Sequence, residues 1–263
     1  MPEITNPTPG IFCWFELGTS DADAAKKFYG ELFGWTPNDT PAGPDMIYTI
    51  LRRGEKDVGA LYKLTAEHKA KGVPPHWLSY ILVTSADESA AKATELGGRV
   101  TMGPFDVGDM GRMAVIEDPT KAIFALWQPT SSSAKLLRDE PYTLCWNELA
   151  TGDATKAVEF YTKLFGWTTK LNDMGSMIYT EFINDGKAIG GMLQITPEMG
   201  DEVVPHWLGY IAVEDCDVTA KKAAALGADI KMTPTDIPNV GRFAIMNDPQ
   251  GAGFAIIKPS PPA

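Results

Sequence analysis

Two tryptophans, two glutamates and two histidines recur in matched surroundings, and these residue types at these spacings can hold and polarise a small molecule. Cys13-Trp14-Phe15-Glu16-Leu17 returns as Cys145-Trp146-Asn147-Glu148-Leu149. Pro75-His76-Trp77-Leu78, followed by Tyr80, returns as Pro205-His206-Trp207-Leu208, followed by Tyr210. All four segments read as apolar strands, on which successive side chains alternate between faces. Glu16 then shares a face with Trp14 and Glu148 with Trp146, while His76 and Tyr80 flank Leu78 as His206 and Tyr210 flank Leu208. Indole and phenol rings offer stacking surface; carboxylate and imidazole offer hydrogen bonds and acid–base groups, the lining expected of a ligand pocket. Gly111-Arg112 and Gly241-Arg242 add two guanidinium groups that can clamp an anion in two-pronged fashion or brace a nearby loop acid.

The ligand-binding candidates are therefore Trp14, Glu16, His76, Tyr80 and Arg112 with their twins Trp146, Glu148, His206, Tyr210 and Arg242. Glu16, His76, Glu148 and His206 are the candidates for acid–base catalysis. Each has a plainer reading. The tryptophans can be core, the histidines can bond backbone after a rigid Pro entry, and a buried carboxylate needs only some partner, such as Arg112 or Arg242. Cys13 and Cys145, on the opposite strand parity, are expected in the helix-packed core, with no activating neighbour.

The elements that would position these residues also recur. A strand from Ile11 to Leu17 leads through Thr19-Ser20-Asp21, which suits a helix N-cap. Ala24, Ala25, Phe28 and Leu32 then fall on one helical stripe, which Gly34 ends as a left-handed cap. Strands are expected at Met46–Arg53 and Asp57–Leu64. A second module follows: strand Trp77–Thr84, helix Ala86–Leu96, then strands near Arg99–Met102, Arg112–Glu117 and Ile123–Trp127, with Asp118-Pro119 as turn chemistry. The plan is β-α-β-β-β, twice in each copy. A duplicated domain follows, 8–130 and 140–260 with a linker at 131–139 rich in small polar residues, and Pro259-Ser260-Pro261-Pro262-Ala263 as a tail.

Four such modules, with Phe28-Tyr29…Phe33-Gly34-Trp35 repeated as Phe160-Tyr161…Phe165-Gly166-Trp167 and Asp-Pro before each copy's last strand, resemble the vicinal oxygen chelate superfamily of glyoxalases, extradiol dioxygenases and bleomycin-resistance proteins. The resemblance implies an α+β fold of two tandem glyoxalase/bleomycin-resistance-like domains, each of two βαβββ units forming a curved mixed sheet around a cleft. Catalytic members of that superfamily hold a divalent metal on side chains of the first, fourth, fifth and eighth strands. Counted onto this chain, those places are Trp14, Ala60, Leu78 and Ala125 in one copy and Trp146, Gly191, Leu208 and Ala255 in the other. None of these side chains ligates a metal. No metal or other cofactor is expected.

The formal charge of −11 argues against a nucleic-acid partner, and no basic block is visible in the sequence to meet an anionic membrane. No apolar run approaches the ~18 residues of a spanning helix. The first residues resemble no signal peptide, and three dispersed cysteines make no disulfide framework, so a cytoplasmic protein is expected. The expected partner is a small molecule, and the protein a monomer or homodimer. Three functions stay open: metal-independent binding, as in sequestration or modest acid–base chemistry; a metal-dependent lyase, hydroxylase or dioxygenase with a displaced metal; and a protein-interaction module.

Overall fold

A computed structural model describes residues 8–43, 46–130, 137–175, 177–200 and 203–261. The start of the chain, residues 131–136 of the expected linker and the last two tail residues lie outside them. The first copy comprises β1 (Phe12–Thr19), α1 (Ala22–Phe33), β2 (Thr36–Gly43), β3 (Met46–Arg53), β4 (Lys56–Lys63), α2 (Ala66–Ala70), β5 (His76–Leu82), α3 (Ala86–Glu95), β6 (Arg99–Val107), β7 (Gly111–Glu117) and β8 (Ile123–Pro129). The second comprises β9 (Leu144–Thr151), α4 (Ala154–Phe165), β10 (Thr168–Asp173), β11 (Ile178–Asn184), β12 (Lys187–Gln194), β13 (His206–Ala212), α5 (Cys216–Ala225), β14 (Asp229–Ile237), β15 (Gly241–Asn247) and β16 (Gly253–Pro259). Each copy builds one eight-stranded mixed sheet, ordered β2-β3-β4-β1-β5-β8-β7-β6 and β10-β11-β12-β9-β13-β16-β15-β14. The α+β tandem architecture is that expected from the pattern. Among the described residues no helix is long and apolar enough to cross a membrane.

Local chemistry accounts for the elements. Asp21 accepts the Ala24 amide to start α1, and Gly34 ends it at φ 74°. Asp153 and Gly166 do the same for α4. Of the predicted stripe, α1 buries Ala25, Phe28 and Leu32, together with Tyr29, and leaves Ala24 half-buried; α4 buries Ala157, Phe160, Tyr161 and Leu164. The β2 and β10 strands were not legible in the sequence. Every residue of β2 is exposed, and its Thr-Pro-Asn-Asp-Thr-Pro-Ala-Gly composition reads as loop. An edge strand tolerates such proline because its N–H side faces solvent.

The chain forms two compact units that cut across the two copies: Met1–Trp14, Leu78–Ala134 and Trp146–Leu208 in one, Phe15–Trp77, Lys135–Cys145 and Gly209–Ala263 in the other. Each unit thus takes the second module of one copy and the first of the other. Both carry the same buried relay. In the former, Trp207 Nε1 donates to Tyr161 Oη at 2.8 Å, and Tyr161 Oη donates to Asp118 Oδ2 at 2.8 Å. In the latter, Trp77 Nε1 donates to Tyr29 Oη at 2.8 Å, and Tyr29 Oη donates to Asp248 Oδ2 at 3.0 Å. The tyrosine of the repeated Phe-Tyr pair and the aspartate of the Asp-Pro turn are hydrogen-bonded partners. Burial makes that bond obligatory, since both tyrosines are wholly enclosed.

Burial also raises the Asp248 carboxyl above its ordinary range. A carboxyl raised on folding contributes stability below its unfolded pKa and loses it as pH climbs through the folded value. Asp248→Asn is therefore expected to flatten the decline of stability just above the ordinary aspartate range, read by urea unfolding at stepped pH. An unchanged slope would show that Asp248 is not its source.

Candidate functional site

The β1 strand does not keep the strict alternation expected. Phe12 packs with Ile81, Phe124 and the α3 alanines, whereas both Cys13 and Trp14 join Leu78, Tyr80 and Ala125 in a cluster on the helix-free face. Cys13 therefore lies beside Trp14 rather than in the helix-packed core, and its thiol donates to the Tyr80 carbonyl. Its twin Cys145 bonds the Tyr210 carbonyl in the other unit, and burial pushes that thiol up to about 12, so it is no nucleophile at neutral pH.

In the unit holding Trp146–Leu208, β9 and β12 run parallel with Glu148 opposite Gly191. The neighbouring β11 supplies Tyr179. Trp146 Nε1 donates to Tyr179 Oη at 2.9 Å, and Tyr179 Oη donates to Glu148 Oε2 at 2.9 Å. The tyrosine reaches that point because residue 191 is glycine: its hydroxyl and ring edge stand where a Cβ would be. Burial and the Glu148 charge hold the phenol far above its ordinary range, so it remains a donor.

The other unit places Glu16 opposite Ala60 in the same parallel register. Glu16 is 8% exposed and accepts Tyr48 Oη at 2.5 Å. Two further groups stand beside it. Tyr62 Oη and His76 Cε1 come within 3.1 and 3.2 Å of the point where a Cβ on Gly18 would lie, so glycine makes the room they use. Tyr62 has no hydrogen-bond partner among the described residues, and burial and Glu16 raise its phenol. The Pro74 carbonyl accepts His76 Nδ1 at 2.8 Å, which puts the neutral ring's proton on Nδ1 and leaves Nε2 a lone pair. Burial holds that ring below the usual imidazole range. His206 has the same bond, to the Val204 carbonyl at 2.7 Å. The second copy has Leu193 where the first has Tyr62, and Ala150 where the first has Gly18.

Tyr80 packs edge-on to Trp127 at 6.5 Å, and Tyr210 lies 6.2 Å from Phe243. Arg112 is engaged by Asp87 at 2.6 Å and Asp106 at 2.9 Å. Arg242 is engaged by Asp217 at 2.7 Å and Asp236 at 3.1 Å. Both guanidinium groups brace acids of their own module, not Glu16 or Glu148. Tyr48, Tyr62 and Tyr179 escaped the sequence reading. Met46-Ile47-Tyr48-Thr49 does return as Met177-Ile178-Tyr179-Thr180, and that repeat was the available signal.

The glyoxalase/bleomycin resistance protein/dioxygenase superfamily model matches residues 12–126 and again 143–256. The chain belongs to this superfamily. It is 40% identical over 263 residues to CFP32 of Mycobacterium bovis (strain ATCC BAA-935 / AF2122/97), covering 99% of both chains. It is 34% identical to the anthracycline biosynthesis protein DauV of Streptomyces sp. (strain C5), covering 97% of this chain and 95% of that one. Its fold matches the Mn(II)-bound glyoxalase of Novosphingobium aromaticivorans with TM-score 0.65 at 16% identity, over 95% of this chain and 82% of the other. The 2,3-dioxygenase LapB of Pseudomonas sp. KL28 matches with TM-score 0.65 at 10% identity, over 98% and 96%.

The residues present do not fit the metal that catalytic members hold. A divalent ion needs N, O or S donors. Alanine, glycine and leucine stand at six of the eight places, and tryptophan at the other two. At Gly191 the vacated space is taken by the Tyr179 hydroxyl, already bonded to Glu148. Among the described residues no three His, Cys, Asp or Glu side chains gather as a metal cluster.

Proposed function

We propose that this superfamily member binds a small, partly aromatic molecule through its own side chains, without a metal at the superfamily's ligand positions. The carrying observation is the set Glu16, Tyr48, Tyr62 and His76: an enclosed carboxylate bonded by Tyr48, the Tyr62 phenol with no hydrogen-bond partner among the described residues, and an imidazole lone pair, beside a ligand place occupied by Ala60. Such a set recognises hydroxyl and carbonyl groups on a ring, the phenol donating and Nε2 and carboxylate accepting. Glu16 and His76 are also the groups able to take a proton from a bound hydroxyl. The Streptomyces relative is named for anthracycline biosynthesis. Anthracyclines are planar hydroxylated quinones, and that chemical class suits this donor–acceptor set. Sequestration and acid–base chemistry on such a ligand share this binding step.

The test is thermal unfolding with 1,4-dihydroxyanthraquinone, the hydroxyquinone core alone. A ligand at 100 times its Kd stabilises by about 2.7 kcal/mol, a rise of roughly 5–10 °C for a unit of this size. No shift at millimolar quinone would defeat the reading. The same scan with Mn(II), Fe(II), Ni(II) and Zn(II) is expected to leave Tm unchanged. A saturable, stoichiometric rise with any of them would favour a metal-dependent lyase or dioxygenase.

A further inference from the structure

We infer that the two copies do not offer equivalent ligand positions: Tyr179 closes the second copy's position from within, while the first copy's, at Glu16, Tyr62 and His76, takes the hydroxyquinone-type ligand. The inference rests on the binding role proposed above and adds which half performs it. In the second copy the phenol fills the space over Gly191 that a ligating side chain would have occupied. Its hydroxyl accepts the Trp146 indole proton and donates to Glu148, so the donor and acceptor that would greet a ligand are joined to each other. A ligand entering there must break two short hydrogen bonds and displace a ring.

The first copy keeps Tyr48 bonded to Glu16 as Tyr179 is to Glu148, but it has diverged at three positions around that pair. Ala60 replaces Gly191, so a methyl group stands where the phenol lies in the second copy. Tyr62 replaces Leu193, adding a hydroxyl that has no partner among the described residues. Gly18 replaces Ala150, leaving the space that Tyr62 and His76 occupy. The last two changes set a second phenol, and the room for it, beside Glu16, where the second copy has none. Duplication followed by such divergence leaves one copy as scaffold and one as receptor.

The closure is tested without ligand. In the wild-type protein the Trp146 indole N–H signal, assigned by its disappearance in Trp146→Phe, should exchange slowly with solvent. Tyr179→Phe and Gly191→Ala should each speed that exchange by about tenfold or more, since both remove the hydroxyl from the indole. Equal exchange in wild type and variants overturns the closure. Gly191→Ala need only swing a half-buried tyrosine outward, so the fold is retained. Calorimetric titration with 1,4-dihydroxyanthraquinone should then give one equivalent per chain for wild type and two for Gly191→Ala. Tyr62→Phe should weaken the wild-type equivalent about tenfold. Two equivalents in wild type, or a Tyr62→Phe variant that binds as wild type, overturns the assignment. No binding by any variant defeats the binding role, while the exchange measurement still decides whether Tyr179 closes its half.

Discussion

Asp118→Ala is expected to lower the unfolding free energy of its compact unit by roughly 3–5 kcal/mol, the range for breaking a buried charged network. Asp118 is 1% exposed. One oxygen accepts the Thr120 amide at 2.7 Å, the Thr120 hydroxyl at 2.8 Å and the Ala122 amide at 3.0 Å, closing the turn before β8. The other accepts Tyr161 Oη, which in turn accepts the Trp207 indole. Truncation strands two backbone amides and a phenol in a dry core, each costing about 1–3 kcal/mol when unsatisfied. Tyr161→Phe removes only the link between turn and helix and should cost about 1–2 kcal/mol. Both values are read from urea unfolding followed by tryptophan fluorescence. A loss below about 1 kcal/mol for Asp118→Ala would mean that turn and helix are held independently of this carboxylate.

This relay marks the limit of what the sequence made legible. Phe28-Tyr29, Phe160-Tyr161 and the two Asp-Pro turns were all visible as repeated motifs, and the modules they delimit were placed correctly. Their pairing was not, because Tyr29 meets Asp248 across 219 residues and Tyr161 meets Asp118 across 43. No local period encodes so distant a bond. At the site, Glu16, Trp146 and Glu148 were singled out by strand parity, but the partners that decide their chemistry lie on β3 and β11. There Tyr48 and Tyr179 look like ordinary β-formers. Parity itself misplaced Cys13, since it assumes an unbroken strand, and β1 carries Phe12 and Cys13-Trp14 on opposite faces without regular alternation. The β2 and β10 edges were missed for a different reason: exposed edge strands carry no burial pattern to read.

The same module exchange makes a double substitution more informative than either half. In one unit Phe15 lies stacked on Trp77 at 4.2 Å, with its ring where a side chain on Gly209 would begin. In the other unit the equivalent residues are Asn147 and Ser79, wholly buried, with Ser79 Oγ donating to Asn147 Oδ1 at 2.8 Å. Asn147 Nδ2 is enclosed with no hydrogen-bond partner among the described residues. One unit thus fills the place with an aromatic ring over glycine, the other with a polar pair that leaves a donor unmet. Asn147→Phe alone should cost about 1–3 kcal/mol, because the ring overpacks against Ser79. Ser79→Gly alone should cost a similar amount, through a lost hydrogen bond and a cavity. Ser79→Gly with Asn147→Phe reproduces the aromatic arrangement of the sister unit and removes the stranded amide. It is expected to be at least as stable as wild type, so the coupling energy should at least equal the sum of the two single losses, about 2 kcal/mol or more. Additive losses in the double-mutant cycle would mean that the two units, though built from the same modules, have cores too far diverged to exchange this pair.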